Sequence, residues 1–185
     1  EWLKRCQKIL KPNGSLMVSG TFHVIYSIGY AMQQLNMKIL NNITWQKPNP
    51  PPNLACRYFT HSTETIIWAA KNTKSKHKFN YELMKEINDD KQMKDVWVMT
   101  APGKAEKTYD KHPTQKPLSL LDRLILAATD EGDLVLDAFN GSGTTGVSCI
   151  RTNRKYIGIE LEKEFIQLSE KRFSEQTKLN DKLSA

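Results

Sequence analysis

The sequence has few cysteines, no long apolar run and no excess of acidic residues. Its three cysteines are widely separated and odd in number, which argues against a disulfide scaffold and fits a reducing cytoplasm. No apolar stretch approaches the roughly 18 residues that a membrane-spanning helix requires. No spacing of histidine, cysteine and acidic residues indicates a metal site. These absences argue against a disulfide-rich protein, a membrane-spanning protein and a protein stabilised by a structural zinc site.

The residues that are present suffice for one packed domain with a basic surface. The chain has 185 residues, of which 39% are hydrophobic and 25% charged, and its formal net charge is +7. Single domains commonly have about 100–200 residues. The segment 71–116 has eleven lysines against seven acidic residues, so it carries a large part of the positive charge. This charge favours an anionic partner such as nucleic acid, although charge alone identifies none.

The apolar periodicity alternates between two kinds of segment. Helical spacing predicts helices over 1–10, 22–35, 117–129, 144–151 and 162–173. Short apolar runs predict strands over 15–20, 38–46, 63–70, 133–137 and 155–160. The proline run 47–53 predicts a rigid loop, the segment 71–116 reads as irregular, and the last dozen residues are expected to fray. The alternation indicates an α/β fold with a largely parallel sheet.

A glycine-rich turn, Gly141-Ser-Gly-Thr-Thr-Gly146, joins a predicted strand to a predicted helix. Glycines allow the backbone to turn tightly and to approach a ligand, and the N–H groups at a helix start favour an anionic group. The turn matches the dinucleotide pattern G-x-G-x-x-G, so an NAD-dependent oxidoreductase is one alternative. A tight strand-to-helix turn without a ligand is another.

Two carboxylates beside this turn favour a different ligand. Asp137 ends the strand before the turn, where its carboxylate can meet a cationic amine. Glu160 ends the next predicted strand, 23 residues later, where it can accept hydrogen bonds from both ribose hydroxyls. The expected ligand is therefore a nucleoside that carries an amine and a carboxylate. S-adenosyl-L-methionine (S-adenosylmethionine) has these groups, whereas NAD has no amine for Asp137.

Two segments together resemble a known family. Lys111-His-Pro-Thr-Gln-Lys-Pro117 and Asp137-Ala-Phe-Asn-Gly-Ser-Gly-Thr-Thr145 are similar to two motifs of the β-class amino-group DNA methyltransferases of bacterial restriction–modification systems. That family methylates adenine N6 or, less often, cytosine N4. The resemblance implies a Rossmann-like class I S-adenosylmethionine-dependent methyltransferase fold, a bacterial cytoplasmic location and DNA as substrate. Ala138 replaces the family's usual proline, which is expected to loosen the loop slightly.

The resemblance also implies which residues bind. The cofactor residues would be Asp137, Phe139, Gly141, Ser142, Gly143, Thr144 and Glu160, with His112, Pro113, Thr114, Gln115 and Lys116 from the first motif. The candidate DNA contacts are Lys47, Asn49, Arg57, Lys71, Lys74, Lys76 and Lys78. Lysines of this kind neutralise phosphates, but a solvated loop explains 71–78 equally well. His23 and His61 are expected to be structural, and Trp45 and Trp68 to pack in the core.

The resemblance divides the chain into four parts. Residues 1–70 would be the C-terminal half of a catalytic subdomain, and 71–110 would be a target-recognition region. Residues 111–175 would form the S-adenosylmethionine-binding subdomain, followed by a flexible tail over 176–185.

The family's catalytic tetrapeptide, D/S/N-P-P-Y/F, does not occur in the sequence. Asn49-Pro-Pro-Pro52 is the nearest string, but it lacks the aromatic residue and stands elsewhere in the family's order. The chain maps onto strands 5, 6, 7, 1 and 2 of the family order 3-2-1-4-5-7-6, so strands 3 and 4 are absent. We therefore expect a fragment or one half of a split enzyme, inactive without an N-terminal segment or a complementary subunit. A homodimer and a non-catalytic DNA-binding partner subunit remain alternatives.

Overall fold

The computed structural model describes residues 1–107 and 114–184. The chain divides into two compact units, Glu1–Met99 and Thr100–Ala185. Within the described ranges, none of the helices combines the length and the apolar character needed to cross a bilayer.

The first unit is built on a mixed four-stranded sheet. Its elements are α1 (Trp2–Ile9), β1 (Ser15–Gly20), α2 (Ile25–Gln34), β2 (Lys38–Gln46), β3 (Thr63–Ala70), α3 (Tyr81–Glu86) and β4 (Val96–Val98). The strand order is β1-β3-β2-β4. β3 runs antiparallel to both of its neighbours, and β4 runs parallel to β2.

The prediction of a largely parallel sheet is wrong for this unit, and the loop between β2 and β3 gives the reason. The Lys47 amide donates to the Ser62 carbonyl at 2.7 Å, so the two ends of the loop meet and the chain reverses direction. Strands joined in this way are antiparallel neighbours, whereas a parallel pair needs a crossover connection.

Both faces of this sheet are covered within the first unit. On one face, Ile67 and Ala69 pack with Leu3, Ile25, Met32 and Met37 from the helices and the turn after α2. On the other face the Trp68 ring lies 5.7 Å from the rings of His77 and Phe79. Trp45 is 2% exposed, and its Nε1 donates to the Met99 carbonyl at 2.8 Å. The prediction that Trp45 and Trp68 lie in the core is confirmed.

The second unit consists of a short parallel strand pair with three helices. Its elements are a 3-10 turn (Lys104–Glu106), α4 (Leu118–Ala128), β5 (Leu134–Asp137), α5 (Thr144–Arg151), β6 (Lys155–Gly158) and α6 (Lys163–Ser184). β5 and β6 pair in parallel with Asp137 opposite Gly158, and α5 packs against both α4 and α6. Asp137 and Glu160 therefore both lie at the carboxyl edge of this pair.

Several predicted boundaries differ from the structure by one to three residues, and two further differences change the organisation of the chain. The helix predicted to end at Phe173 continues to Ser184. Asn180 explains the extension, since its Nδ2 donates to the Ile150 carbonyl at 2.9 Å and anchors the last turns on α5. The boundary predicted between residues 70 and 71 does not separate compact units, because β4 joins the first sheet beside β2.

Candidate cofactor site

The glycine turn between β5 and α5 requires glycine at particular positions. Gly141 has a φ of 51° and Gly143 a φ of 74°, in the left-handed region that side chains disfavour. A Cβ on Gly143 would lie 2.5 Å from the Ser169 Cβ of α6. The turn is closed by the Gly143 amide, which donates to the Asn140 carbonyl at 2.8 Å.

Gly146, the third glycine of the pattern, allows α5 to approach its neighbours. A Cβ at this position would lie 2.4 Å from two ring carbons of Phe173 and 2.7 Å from one of Tyr156. The third glycine of a dinucleotide-type loop has this same role in close helix packing.

Asp137 connects the end of β5 to the start of α5. Its Oδ1 accepts a hydrogen bond from the Phe139 amide at 2.9 Å, and its Oδ2 accepts one from the Thr145 hydroxyl at 2.6 Å. An ionised carboxylate has about four acceptor positions. These two contacts therefore orient Asp137 and still allow it to accept a hydrogen bond from an amine.

Glu160 joins the glycine turn to the loop that follows β6. Its Oε2 accepts from the Gly141 amide at 2.7 Å, and its Oε1 accepts from the amides of Leu161 and Glu162 at 2.8 and 3.1 Å. The predicted ribose-binding residue is thus held in place by three backbone N–H groups. The structure brings Asp137 and Glu160 to the same turn, as the sequence spacing predicts.

A partly buried pair of polar residues, Tyr156 and Asn140, supports the turn. The Tyr156 hydroxyl donates to Oδ1 of Asn140 at 2.6 Å, and Asn140 is 8% exposed. Burial, with a smaller effect from the charge of Asp137, raises the pKa of Tyr156 well above its usual range. The phenol consequently remains protonated and continues to act as a donor to Asn140.

Arg172 of α6 also holds the turn, and the sequence analysis did not identify it. Its Nη1 donates to the Ser142 carbonyl at 2.6 Å and to the Thr144 hydroxyl at 3.0 Å. Burial lowers the pKa of Arg172, and nearby carboxylates of Glu106 and Glu175 oppose that shift. The spacing of Ser169, Arg172 and Phe173 could have revealed it, since this pattern places an arginine on the packed face of a helix.

The first motif is only partly within the described residues. His112 and Pro113 lie outside them. Gln115 is 7% exposed, and its Nε2 donates to the Glu106 carbonyl at 2.7 Å. Lys116 donates from Nζ to the Thr114 carbonyl at 3.2 Å. The described part of the motif therefore makes contacts that fix the chain before α4, and its cofactor role stays a prediction.

The candidate DNA residues differ in their surroundings. Lys47 forms an ion pair with Glu64, with its Nζ 2.5 Å from Oε1, and the same Nζ lies 4.7 Å from the centroid of the Trp45 ring. Part of the positive charge of Lys47 is therefore compensated. Lys71 donates to the Lys8 carbonyl at 3.3 Å and to the Leu10 carbonyl, which fixes it at the end of α1. The remaining candidates are exposed: Asn49, Arg57, Lys74, Lys76 and Lys78.

Comparison with known proteins identifies the family. The N6/N4 methyltransferase model (N6_N4_Mtase), described as DNA methylase, matches residues 1–171. The type II methyltransferase M2.DpnII of Streptococcus pneumoniae is 57% identical over 181 residues, which cover 97% of this chain and 68% of that protein. M2.LlaDCHI of Lactococcus lactis subsp. cremoris is 60% identical, and the matched residues cover 94% of this chain and 65% of that protein. The chain thus spans about two thirds of the length of these relatives.

Solved structures agree in fold. The M1.HpyAVI–SAM complex is 36% identical with a TM-score of 0.79, covering 92% of this chain and 79% of that one. The cytosine-N4-specific PvuII DNA methyltransferase has a TM-score of 0.77 at 22% identity, and the match covers 93% of this chain and 68% of that one. At this identity the likeness supports only the fold. The predicted fold class is confirmed, and the order β1-β3-β2 agrees with strands 5-7-6 of the family's sheet. The chain belongs to the N6/N4 DNA methylase family.

Proposed function

We propose that the chain binds S-adenosylmethionine at the glycine turn and serves the transfer of its methyl group to adenine N6 in DNA. The observation that carries this proposal is the convergence of Asp137 and Glu160 on one glycine turn. The 36% identical M1.HpyAVI, solved as a complex with SAM, supports it. S-adenosylmethionine supplies a methyl group activated by a sulfonium centre.

The residues have separable roles in binding. Asp137 accepts a hydrogen bond from the cofactor's amine, and Glu160 accepts from the ribose hydroxyls. Phe139, whose side chain is 66% exposed, packs against the cofactor. Ser142 and Thr144, held by Arg172, fix the path of the turn at the start of α5.

The charge of Asp137 also distinguishes this cofactor from NAD. A carboxylate beside the glycine turn attracts a sulfonium and an amine but repels a pyrophosphate. Isothermal titration with both nucleotides tests the assignment. We expect S-adenosylmethionine to bind and NAD not to bind, and NAD binding without S-adenosylmethionine binding would overturn the proposal.

The transfer step also needs groups that these 185 residues do not contain. In the family, a D/S/N-P-P-Y/F tetrapeptide accepts hydrogen bonds from the target amino group, and its aromatic ring stacks on the flipped base. We propose that an N-terminal segment or a complementary subunit supplies this tetrapeptide in a bacterial cytoplasm. The 185-residue chain alone is expected to transfer no methyl group, and methylated nucleosides in DNA incubated with it would contradict this.

The target base is tested on the complete enzyme. Mass spectrometry of nucleosides from treated DNA distinguishes N6-methyladenine from N4-methylcytosine. N6-methyladenine is the expected product. N4-methylcytosine would favour the alternative, which the scope of the matching family model includes. DNA binding without either product would indicate a non-catalytic partner subunit.

A further inference from the structure

Asn140, which directly precedes Gly141 in the turn, has each of its polar atoms in a hydrogen bond within the protein. Its backbone amide donates to the Ile159 carbonyl at 2.9 Å, and its carbonyl accepts from the Gly143 amide at 2.8 Å. Its side-chain Oδ1 accepts from the Tyr156 hydroxyl at 2.6 Å, and its Nδ2 donates to the Gly141 carbonyl at 3.2 Å. Both the backbone and the side-chain amide of Asn140 are therefore fixed.

Gly158 of β6 provides the space that the Asn140 side chain occupies. A Cβ at position 158 would lie 2.7 Å from Oδ1 of Asn140, 2.9 Å from the Tyr156 hydroxyl oxygen and 3.0 Å from Cγ of Asn140. Contacts of this length are shorter than the optimal separation of non-bonded atoms. A side chain at 158 would therefore displace the amide that accepts the hydrogen bond from Tyr156.

The Gly141 amide joins Glu160 to the turn. It donates to Oε2 of Glu160 at 2.7 Å across 19 residues of sequence, whereas the two amides that donate to Oε1 belong to Leu161 and Glu162. Leu161 and Glu162 follow Glu160 directly, so their contacts fix the carboxylate relative to its own loop. The Gly141 N–H belongs to the planar peptide group that links it to Asn140, so its direction depends on Asn140. The placement of the Glu160 carboxylate relative to the turn therefore depends on Asn140.

The Tyr156 ring, which carries the donor to Asn140, is itself held in place. It packs edge to face against Phe173 of α6, with the ring centroids 5.7 Å apart. A hydroxyl on a fixed ring orients the Asn140 amide at little further cost in conformational entropy. Because Tyr156→Phe removes the hydroxyl and keeps the ring, this substitution separates the hydrogen bond from the packing.

We propose that Asn140, oriented by the Tyr156 hydroxyl, is a positioning residue for recognition of the cofactor's ribose. It directs the Gly141 amide to Oε2 of Glu160 and so places the carboxylate where it accepts from the ribose hydroxyls. The inference rests on the proposed function, because it takes S-adenosylmethionine as the ligand and Glu160 as the ribose acceptor. It adds that the preference for ribose over deoxyribose depends on two residues that act through Glu160.

Calorimetric titration of the 185-residue chain with S-adenosylmethionine and with its 2′-deoxy and 3′-deoxy analogues tests this inference. The ribose preference is the Kd of an analogue divided by the Kd of S-adenosylmethionine. For the wild-type protein it should be about tenfold or more with at least one analogue, as expected for loss of a hydrogen bond to a charged group. Tyr156→Phe should lower the preference roughly two- to tenfold, the range for one lost hydrogen bond. Gly158→Ala should lower it as well, because the added Cβ displaces the same amide.

Two comparisons separate positioning of the carboxylate from general support of the turn. Tyr30→Phe removes a hydroxyl from a side chain that is 64% exposed in the first unit, and should keep both the affinity and the ribose preference. Arg172→Met should weaken all three ligands by the same factor and keep the preference, because the contacts of Arg172 lie further along the turn, at Ser142 and Thr144. A merely structural role for Tyr156 and Asn140 would give the same uniform weakening.

The outcomes of these titrations are distinct for the two proposals. An unchanged ribose preference in Tyr156→Phe, uniform weakening of all three ligands or complete loss of binding would overturn the positioning role, while S-adenosylmethionine binding by the wild type would still support the proposed function. No binding of S-adenosylmethionine by the wild type would overturn both. The double variant Tyr156→Phe/Gly158→Ala should lower the preference no further than the stronger single variant, since both changes act through Asn140. Multiplied effects would overturn Asn140 as the shared route.

Discussion

Gly146→Ala is expected to destabilise the second unit, because a methyl group there would overlap two aromatic rings. The added Cβ would lie 2.4 Å from Cε1 and Cζ of Phe173 and 2.7 Å from Cε1 of Tyr156. Those rings are packed edge to face, with centroids 5.7 Å apart. Neither ring can move aside without disturbing the other, so α5 must shift away from α6 and β6.

Two opposing effects determine the size of the loss. Alanine favours a helix by about 1 kcal/mol relative to glycine. Overpacking of a well-packed core costs about 1–3 kcal/mol, and overlap with two rings at once places this site in the upper part of that range. We therefore expect a net decrease of about 1–2 kcal/mol in the free energy of unfolding.

Urea unfolding followed by two signals measures this loss. Trp2, Trp45, Trp68 and Trp97 all lie in Glu1–Met99, so tryptophan fluorescence reports the first unit, whereas far-ultraviolet circular dichroism reports both. Gly103→Ala is the matched control, since Gly103 has a φ of −76° and its added Cβ would meet no atom within 4 Å. The control should be neutral or slightly stabilising.

The double variant Gly146→Ala/Phe173→Leu tests the cause. A smaller side chain at 173 makes room for the new methyl group, so the double variant should lose less stability than the sum of the single variants. Unchanged stability in Gly146→Ala, or simple additivity in the double variant, would refute the packing argument.

Three further predictions concern Arg172, Glu160 and Cys149 of the second unit. Arg172→Met removes a charged donor from the Ser142 carbonyl, a contact worth about 1.5–3 kcal/mol. Calorimetry should show S-adenosylmethionine binding weakened about tenfold or more. The control Lys171→Met should bind as the wild type does. Glu160→Gln should also weaken cofactor binding, because an amide offers one acceptor oxygen where the carboxylate uses two; equal affinity would count against the ribose role. Burial raises the pKa of Cys149 from 9.0 to about 12, so the thiol's contribution to stability is complete below pH 9 and is lost as the pH rises from there. Cys149→Ala should therefore flatten the alkaline decline in urea-unfolding free energy by up to about 1.4 kcal/mol per pH unit, and an unchanged slope would contradict the assigned burial.

Local sequence signals were sufficient to predict the bounds of the elements that have strong apolar periodicity. The predicted bounds of β1, β2, β3 and α5 coincide with the structure, because their apolar spacing is regular and a glycine or proline lies at or near an end of β1, β2 and α5. The glycines, Asp137 and Glu160 were likewise predictable, since each stands at a fixed offset from a strand end. β4 was not predictable, because a strand of three residues has no measurable apolar period and forms through its pairing with β2.

The contacts that support the turn could not be predicted in the same way. Arg172 reaches Ser142 across 30 residues, and Tyr156 reaches Asn140 across 16. Helical spacing places Arg172 on the packed face of α6, but it does not identify the partner in either pair, because each contact depends on how α6 and β6 pack against the turn. The residues that we propose to face the cofactor were therefore predictable from the sequence, whereas the residues that hold them in place were not.

The distribution of charge along the chain separates its two binding tasks. Residues 1–116 contain 18 basic and nine acidic residues, whereas 117–185 contain nine basic and eleven acidic residues. The segment 71–116 has eleven lysines against seven acidic residues, but the stretch 2–63 has seven basic residues and no acidic residue at all. A polyanionic strand is attracted to the first of these parts, and a cationic cofactor is attracted to the second. Because Asp137 and Glu160 lie in the acidic part, their charges add to the attraction for a cationic cofactor.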